Sequence, residues 1–295
     1  MLLVVVGAWG FTWPVNKVIL QTLSPFWLTA LRSAIATVAV FAIAIGTRRL
    51  CRPTRADMPV VLSITCLHMV GFVVLANVGL QLVPTGRSML LAYTTPLWVT
   101  PAAALLLGES LTPRRVIGVV VGLTGLVSLF NPLVFDWSDR GVVLGNLAIL
   151  AAALLWAASI VHIRAHRWIS TPFVLIPWET LLATLLVMPI ALATTPLPHV
   201  EWSPSFILML LYLGVPGTAV AYWAVAMASR HLPAVTTSLG LLATPVVSVI
   251  TASLWLGEPL TATLALAIVL VLGGVAIGVT GSPPVSRSAG RGGEV

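Results

Sequence analysis

Charge is what this chain has least of. Only 8% of its 295 residues are Asp, Glu, Lys or Arg, against roughly 25% in a soluble domain. With 59% hydrophobic residues, no packing in water could hide so much apolar surface, so the solvent of this chain is lipid. Cysteine is nearly absent. Cys51 and Cys66 are too few for a disulfide framework, and one among arginines and one in an apolar stretch read as free thiols. A basic n-region and an A-x-A-like site are missing around MLLVVVGAWG, so no cleaved signal peptide is expected. No Gly-x-Ser-Gly, His-Glu-x-x-His or pair of transmembrane aspartates offers an intramembrane protease. The three aspartates, Asp57, Asp136 and Asp139, fall in or beside loops. No Gly-x-x-x-x-Gly-Lys-Ser/Thr offers ATP-driven pumping. A net charge of +7 in a lipid-embedded chain is first a topology signal, so no nucleic acid is expected, and no cofactor or metal is expected either.

What the chain does contain is a copy of itself. Tyr93 to Gly125, shifted by 149 residues, lands without a gap on Leu242 to Gly274. Thr95-Pro96 falls on Thr244-Pro245, Leu107-Gly108-Glu109 on Leu256-Gly257-Glu258, and Pro84 on Pro233. Chance leucine matches are cheap in apolar sequence. Two prolines and a Gly-Glu pair in one register are not, and a fixed period marks duplication.

A bilayer core of roughly 30 Å takes about 20 apolar residues per helix. Apolar runs between polar breaks give ten spans, near 2–20, 26–46, 58–80, 85–107, 114–132, 142–163, 173–194, 205–229, 233–256 and 260–280. They lack the period-2 alternation of barrel strands. The fold class expected is all-α, a polytopic membrane protein of ten transmembrane helices. If the N-terminus is cytoplasmic, eleven arginines (Arg48, Arg49, Arg52, Arg55, Arg114, Arg115, Arg164, Arg167, Arg230, Arg287 and Arg291) fall inside. Only Lys17, Arg87 and Arg140 fall outside, so both termini are expected in the cytoplasm. Five spans per copy is an odd number, so the second copy enters the membrane upside down. Residues 1–132 and 142–280 are then two five-helix inverted repeats, and 281–295 a Pro/Gly/Ser-rich disordered tail. Inverted repeats are the structural logic of alternating access, with substrate bound near the midplane.

Trp9-Gly10 followed by Lys17, Pro25 with Arg32, and the Pro-to-Gly-Glu stretches of spans four and nine together resemble two tandem EamA-type halves of the drug/metabolite transporter superfamily. The resemblance covers nearly the whole chain. It implies export of small metabolites such as amino acids across the bacterial inner membrane, and within the superfamily it leans to the YddG-type aromatic amino acid exporters. In the second half Trp156 keeps the first-span tryptophan, but alanine follows it instead of glycine. That departure bears on whether the halves bind substrate symmetrically.

Arg32 and Glu179 are the clearest intramembrane charges, each seven residues after a proline, Pro25 and Pro172. A charge at the bilayer centre costs about 2.5–3.5 kcal/mol and needs a protein or water partner. Two readings stand: contact with substrate or proton, or local capping of carbonyls. A direct Arg32–Glu179 pair is not expected, because they sit near opposite surfaces with an axial gap on the order of 10 Å at 1.5 Å rise per residue. His68 titrates near neutral pH if exposed, and a hydrogen-bonded structural role competes with that. Asn77 lies nine residues on, about 180° around an α-helix, so one pocket is not expected to use both. Trp98, Trp156, Trp178, Tyr93, Tyr222 and Trp223 fall deep enough to line a path, or to pack. Trp27, Trp137, Trp168 and Trp202 fall at interfaces, as belt anchors. Pro96, Pro101 and Pro245 each remove a helix hydrogen bond and read as static kinks or as gating points. Gly118-x-x-x-Gly122 and Gly274-x-x-x-Gly278 allow close backbone approach, between the halves or in a homodimer. A secondary transporter of amino acids or related metabolites, monomeric or dimeric, is the favoured reading over an exporter of other drugs, an intramembrane enzyme or a channel.

Overall fold

The computed structural model describes residues 1–108, 112–129, 138–231, 241 and 243–280. Glu109, Asp136, Trp137, Pro233 and the tail 281–295 lie outside the described residues. All regular structure among the described residues is helical. Helix α1 is Leu2–Ile19 and α2 is Pro25–Gly46. Helices α3, Met58–Leu82, and α4, Thr85–Leu107, follow. Then come α5, Pro113–Leu129, α6, Arg140–Ala165, and α7, Pro172–Thr194. Helix α8 runs through Pro204–Gly214, Val215–Val220 and Ala221–His231, and α9, Ala243–Leu256, and α10, Ala262–Thr280, complete the order. Seven of these, α1 to α4 and α6 to α8, are long and apolar enough to cross a membrane. The chain is a multi-pass membrane protein.

Local chemistry explains the boundaries. Ser24 caps α2 by accepting from the Trp27 N–H, with Pro25 in the first turn, where its missing donor costs nothing. Asp139 caps α6 through the N–H groups of Gly141 and Val142. The duplicated Gly-Glu gains a physical reason at the ends of α4 and α9. Gly108 and Gly257 both adopt left-handed backbone, with φ of 66° and 67°, a conformation that ends helices and suits a residue without a Cβ.

Helices α3 and α8 each contain a π segment, Ile64–Phe72 and Val215–Val220. These π turns, with their i→i+5 bonds, overlap under the 147-residue offset that relates Arg32 to Glu179. Helix α4 is not a single rod kinked by a proline inside it. It breaks at Tyr93 and Thr94 into Thr85–Ala92 and Thr95–Leu107. Pro96 falls in the first turn of the second piece, so it interrupts no α-helical interior. Its missing N–H leaves the Ala92 carbonyl without an α-helical donor, and the Thr95 hydroxyl supplies one at 2.8 Å. Pro101 does lie inside the helix.

The packing partners follow a pattern. Helix α5 packs on α10, α2 on α7, α1 on α9 and α8, and α6 on α4 and α3. At the α5–α10 crossing the backbones touch. A Cβ on Gly118 would strike the Gly274 carbonyl and the Gly278 backbone, and one on Gly274 would strike Gly118 and Gly122. The glycine stripes therefore face each other within one chain. The α1–α9 contact is also close: a Cβ on Gly10 would lie 2.5 Å from Val247 Cγ1. At the matching place in α6, Ala157 is tolerated against Val99 of α4.

Candidate functional site

Where α1, α2, α3, α4, α6 and α8 converge they enclose a cavity of about 50 Å³. At roughly 10–15 Å³ per water it has room for a few water molecules and not for an amino acid. Its wall brings together Arg32, His68, Asn77, Tyr93, Trp156 and Tyr222 of the sequence candidates. Trp9, Thr12, Trp13, Asn16, Phe72, Val73 and Ala76 join them.

One side of the wall is aromatic. His68 stacks on Trp156 with ring centroids 5.1 Å apart and planes at 22°. Tyr222 lies 4.8 Å from His68, Phe72 lies 5.0 Å from Trp156, and Tyr93 meets Trp156 edge-on at 5.8 Å. Trp9 meets Trp156 edge-on at 6.1 Å, which puts the duplicated tryptophans of the two halves against each other.

The other side is polar. Arg32 Nε and Nη2 donate to Thr218 Oγ1 at 3.0 and 2.9 Å, and Nη2 also reaches the Gly217 carbonyl at 3.3 Å. Trp9 Nε1 donates to the same carbonyl at 3.2 Å. Both acceptors, one a hydroxyl and one a backbone carbonyl, belong to the π segment of α8. Nη1 of Arg32 has no hydrogen-bond partner among the described residues, so its two N–H groups are available to a carboxylate. Arg32 makes no ion pair with Glu179 among the described residues. Asn16 and Asn77 are hydrogen-bonded at 3.2 Å in the same wall.

The structure places His68 and Asn77 in one cavity, against the 180° expectation. The π segment accounts for this. One extra residue in a turn subtracts about 100° from the angular spacing, leaving the two side chains about 80° apart.

Four candidates lie outside this cavity. Trp98 hydrogen-bonds Thr94 and packs by Val99, Ala157 and Val161. Trp178 donates to the Cys51 carbonyl at 2.8 Å and meets Phe41. Trp223 is one residue, hence about 100°, past Tyr222 and packs by Ala36, Val40 and Ile176. Glu179 is buried but not part of the cavity lining, and Thr65 Oγ1 donates to its backbone carbonyl. Of the expected belt tryptophans, Trp27 is buried and donates to the Pro196 carbonyl, whereas Trp202 is exposed.

Two polar clusters tie segments that are distant in the chain. Glu258 accepts from the N–H groups of Thr85 and Gly86 at 2.8 and 3.1 Å, placing a carboxylate on the N-terminus of α4, where the helix dipole favours it. Lys17 caps the end of α3 through the carbonyls of Leu80 and Val83. In the second cluster Asp57 is buried just before α3. It accepts from the N–H groups of Ile169 and Ser170, the Thr54 hydroxyl and His166. Burial alone would raise its pKa, but the bonds from Ser170, Thr54, Ile169 and His166 outweigh that and hold it at about 2.

Sequence comparison agrees with a transporter. The model of the EamA-like transporter family matches twice, over residues 1–131 and 143–280. The Uncharacterized transporter YoaV of Bacillus subtilis is 24% identical over 90% of this chain and 91% of its own length. The Probable terminal-alkyne amino-acid exporter of Streptantibioticus cattleyicolor is 27% identical over 87% of this chain and 84% of its own. The aromatic amino acid exporter YddG of Ancylobacter novellus is 28% identical over 68% of each. A solved crystal structure shares the fold with a TM-score of 0.66, at 23% identity, covering 92% of this chain and 94% of that one.

Proposed function

Because the chain belongs to the EamA-like transporter family, we propose that it is a secondary carrier exporting small organic metabolites, foremost amino acids, by alternating access. The observation that carries the reading is the central cavity, walled by α1 to α4 together with α6 and α8 and lined by Arg32 beside an aromatic cluster. A donor-only guanidinium suits a carboxylate, and the rings suit an apolar side chain. Two relatives named as amino-acid exporters support the same solute class.

The membrane arrangement we propose is ten spans in two five-helix repeats of opposite orientation, residues 1–132 and 142–280, in the bacterial inner membrane with both termini cytoplasmic. Three observations support it. Packing is reciprocal: α5 and α10 pair with each other, as do α2 and α7, while α1 leans on α9 as α6 leans on α4. The π segments overlap under the 147-residue shift, and the arginine asymmetry points one way. On this arrangement the Glu258 and Lys17 cluster lies at the outer end of the cavity and the Asp57 cluster at the inner end. Export requires each to release in turn, since a cavity of about 50 Å³ must widen to take a solute. The glycine stripes are engaged within one chain, so a monomer suffices.

The test is counterflow of labelled amino acids in proteoliposomes without ATP. Exchange of one or more of a panel of twenty supports the carrier. A chain that exchanges none of them, yet passes solute passively down its gradient without saturation, would be a channel.

A further inference from the structure

Three polar side chains in this region are wired in one direction, and the last ends on an atom with nothing to bind. Thr29 is fully buried, and its hydroxyl donates to the Pro25 carbonyl one turn back, at 2.7 Å. A hydroxyl has a single proton, so Thr29 Oγ1 can only accept from its other neighbour, Asn77 Nδ2, 3.3 Å away. That fixes the Asn77 amide, whose Oδ1 then accepts from Asn16 Nδ2 at 3.2 Å. Asn16 must keep its nitrogen towards Asn77, because turning the amide over would set oxygen against oxygen. Its own Oδ1 is left buried, with no hydrogen-bond partner among the described residues. Asn16 is only 6% exposed and lines the cavity. A buried acceptor held unmet by its own network calls for an explanation, and a donor brought by the solute supplies one.

We infer that Asn16 Oδ1 is the binding site for the primary ammonium of the exported solute, with Asn77 and Thr29 as positioning residues that hold the amide the right way round. The inference rests on the carrier reading above and adds the amine to it. An ammonium has donors only, and a charge-assisted bond is roughly twice as strong as a neutral one. Trp9 and Trp156 line the same wall, and an indole ring attracts a cation. Arg32 supplies the complementary donors, so one cavity meets both charges of a zwitterion. An acid of the same shape without the amine leaves Asn16 Oδ1 unmet.

The test uses the full-length chain in detergent, with binding of L-phenylalanine and of 3-phenylpropionate, and of L-leucine and 4-methylpentanoate, followed by tryptophan fluorescence. The amines are expected to bind about tenfold or more tighter than their deamino analogues. Asn16→Leu is expected to bring that ratio close to one. Thr29→Val, which keeps shape and leaves Asn16 in place, is expected to lower the ratio as well, because Asn77 can then turn over. Binding of the deamino acids is expected to change little in Thr29→Val, which a variant damaged in its fold would not show. Equal binding of amine and acid by the unaltered chain, or a ratio untouched by Asn16→Leu, overturns the ammonium site and leaves the carrier standing. Failure of every amino acid in the exchange panel overturns the amino-acid reading and the ammonium site together.

Discussion

Trp9 and Trp156, 147 residues apart in the chain, meet edge to face with ring centroids 6.1 Å apart at 84°. The same offset separates Arg32 from Glu179. The pair differs in one respect: Trp9 Nε1 donates to the Gly217 carbonyl, while Trp156 Nε1 has no hydrogen-bond partner among the described residues. Trp9→Phe is therefore expected to cost about 1 kcal/mol beyond the change in packing, and Trp156→Phe less. Thermal unfolding in detergent, followed by circular dichroism, gives the order. Equal losses in the two variants would show that the Gly217 bond contributes nothing.

The crossing of α5 and α10 predicts a sharp contrast between neighbouring glycines. A Cβ on Gly274 would strike the backbone of Gly118 and Gly122, whereas one on Gly273 meets nothing within 4 Å. Gly274→Ala is expected to destabilise by about 1–3 kcal/mol through overpacking. Gly273→Ala is expected to be neutral or to stabilise by up to about 1 kcal/mol, from helix propensity. The two melting temperatures decide it.

Asp57 predicts a pH dependence with a definite sign. Its pKa is about 2 in the folded chain against about 3.9 unfolded. The folded state therefore gains from the ionised carboxylate above about pH 4 and loses that gain as pH falls from about 4 towards 2. Asp57→Asn is expected to be less stable at neutral pH, and the difference from the unaltered chain should shrink over that acid window. A gap that stays constant from pH 6 to pH 2.5 would contradict the assignment.

Glu258 satisfies two N–H groups at the start of α4. Replacing it with alanine is expected to cost about 0.5–2 kcal/mol, the range of a lost helix cap. On the proposed membrane arrangement it also loosens the outer end of the cavity. A cysteine at position 85 should then react faster with a membrane-impermeant thiol reagent applied from outside. Unchanged labelling would mean that the contact is a cap and nothing more.

Pro96→Ala restores an N–H within reach of the Ala92 carbonyl, in competition with the Thr95 hydroxyl. It is expected to slow amino-acid exchange more than it weakens binding, because the break at Tyr93 and Thr94 stiffens while the cavity keeps its side chains. Pro245→Ala is expected to act likewise if the repeats move in the same way. Equal losses of rate and affinity would count against bending at these positions.

Much of the architecture was legible in the residues. Hydropathy and the 149-residue register mark the helices and the duplicated Gly108 and Gly257. The cavity was legible in part. Arg32 stood out because a charge in an apolar span needs a reason. Tyr93, Trp156 and Tyr222 share the wall, while Trp98, Trp178 and Trp223 do not, because aromatic content carries no angular information unless the helix register is known. The π segment of α3 is invisible to counting at 100° per residue, and this is why His68 and Asn77 looked like opposite faces. Trp9 was in view only as a family mark, yet its offset from Trp156 points straight at the cavity. Asn16 was a further signal, an amide in an apolar span with no obvious partner.

The reciprocal packing has a consequence for biogenesis. Severed after α5, the chain would leave a first fragment with Gly118 stripped of Gly274 and Gly278 and Trp9 lacking its counterpart, and a second fragment with Gly274 and Trp156 exposed in the same way. Neither piece contains a finished surface, so each would depend on meeting the other in the same membrane before quality-control proteases reach it. Covalent fusion removes that search by holding the partners at high effective concentration, and it guarantees one of each.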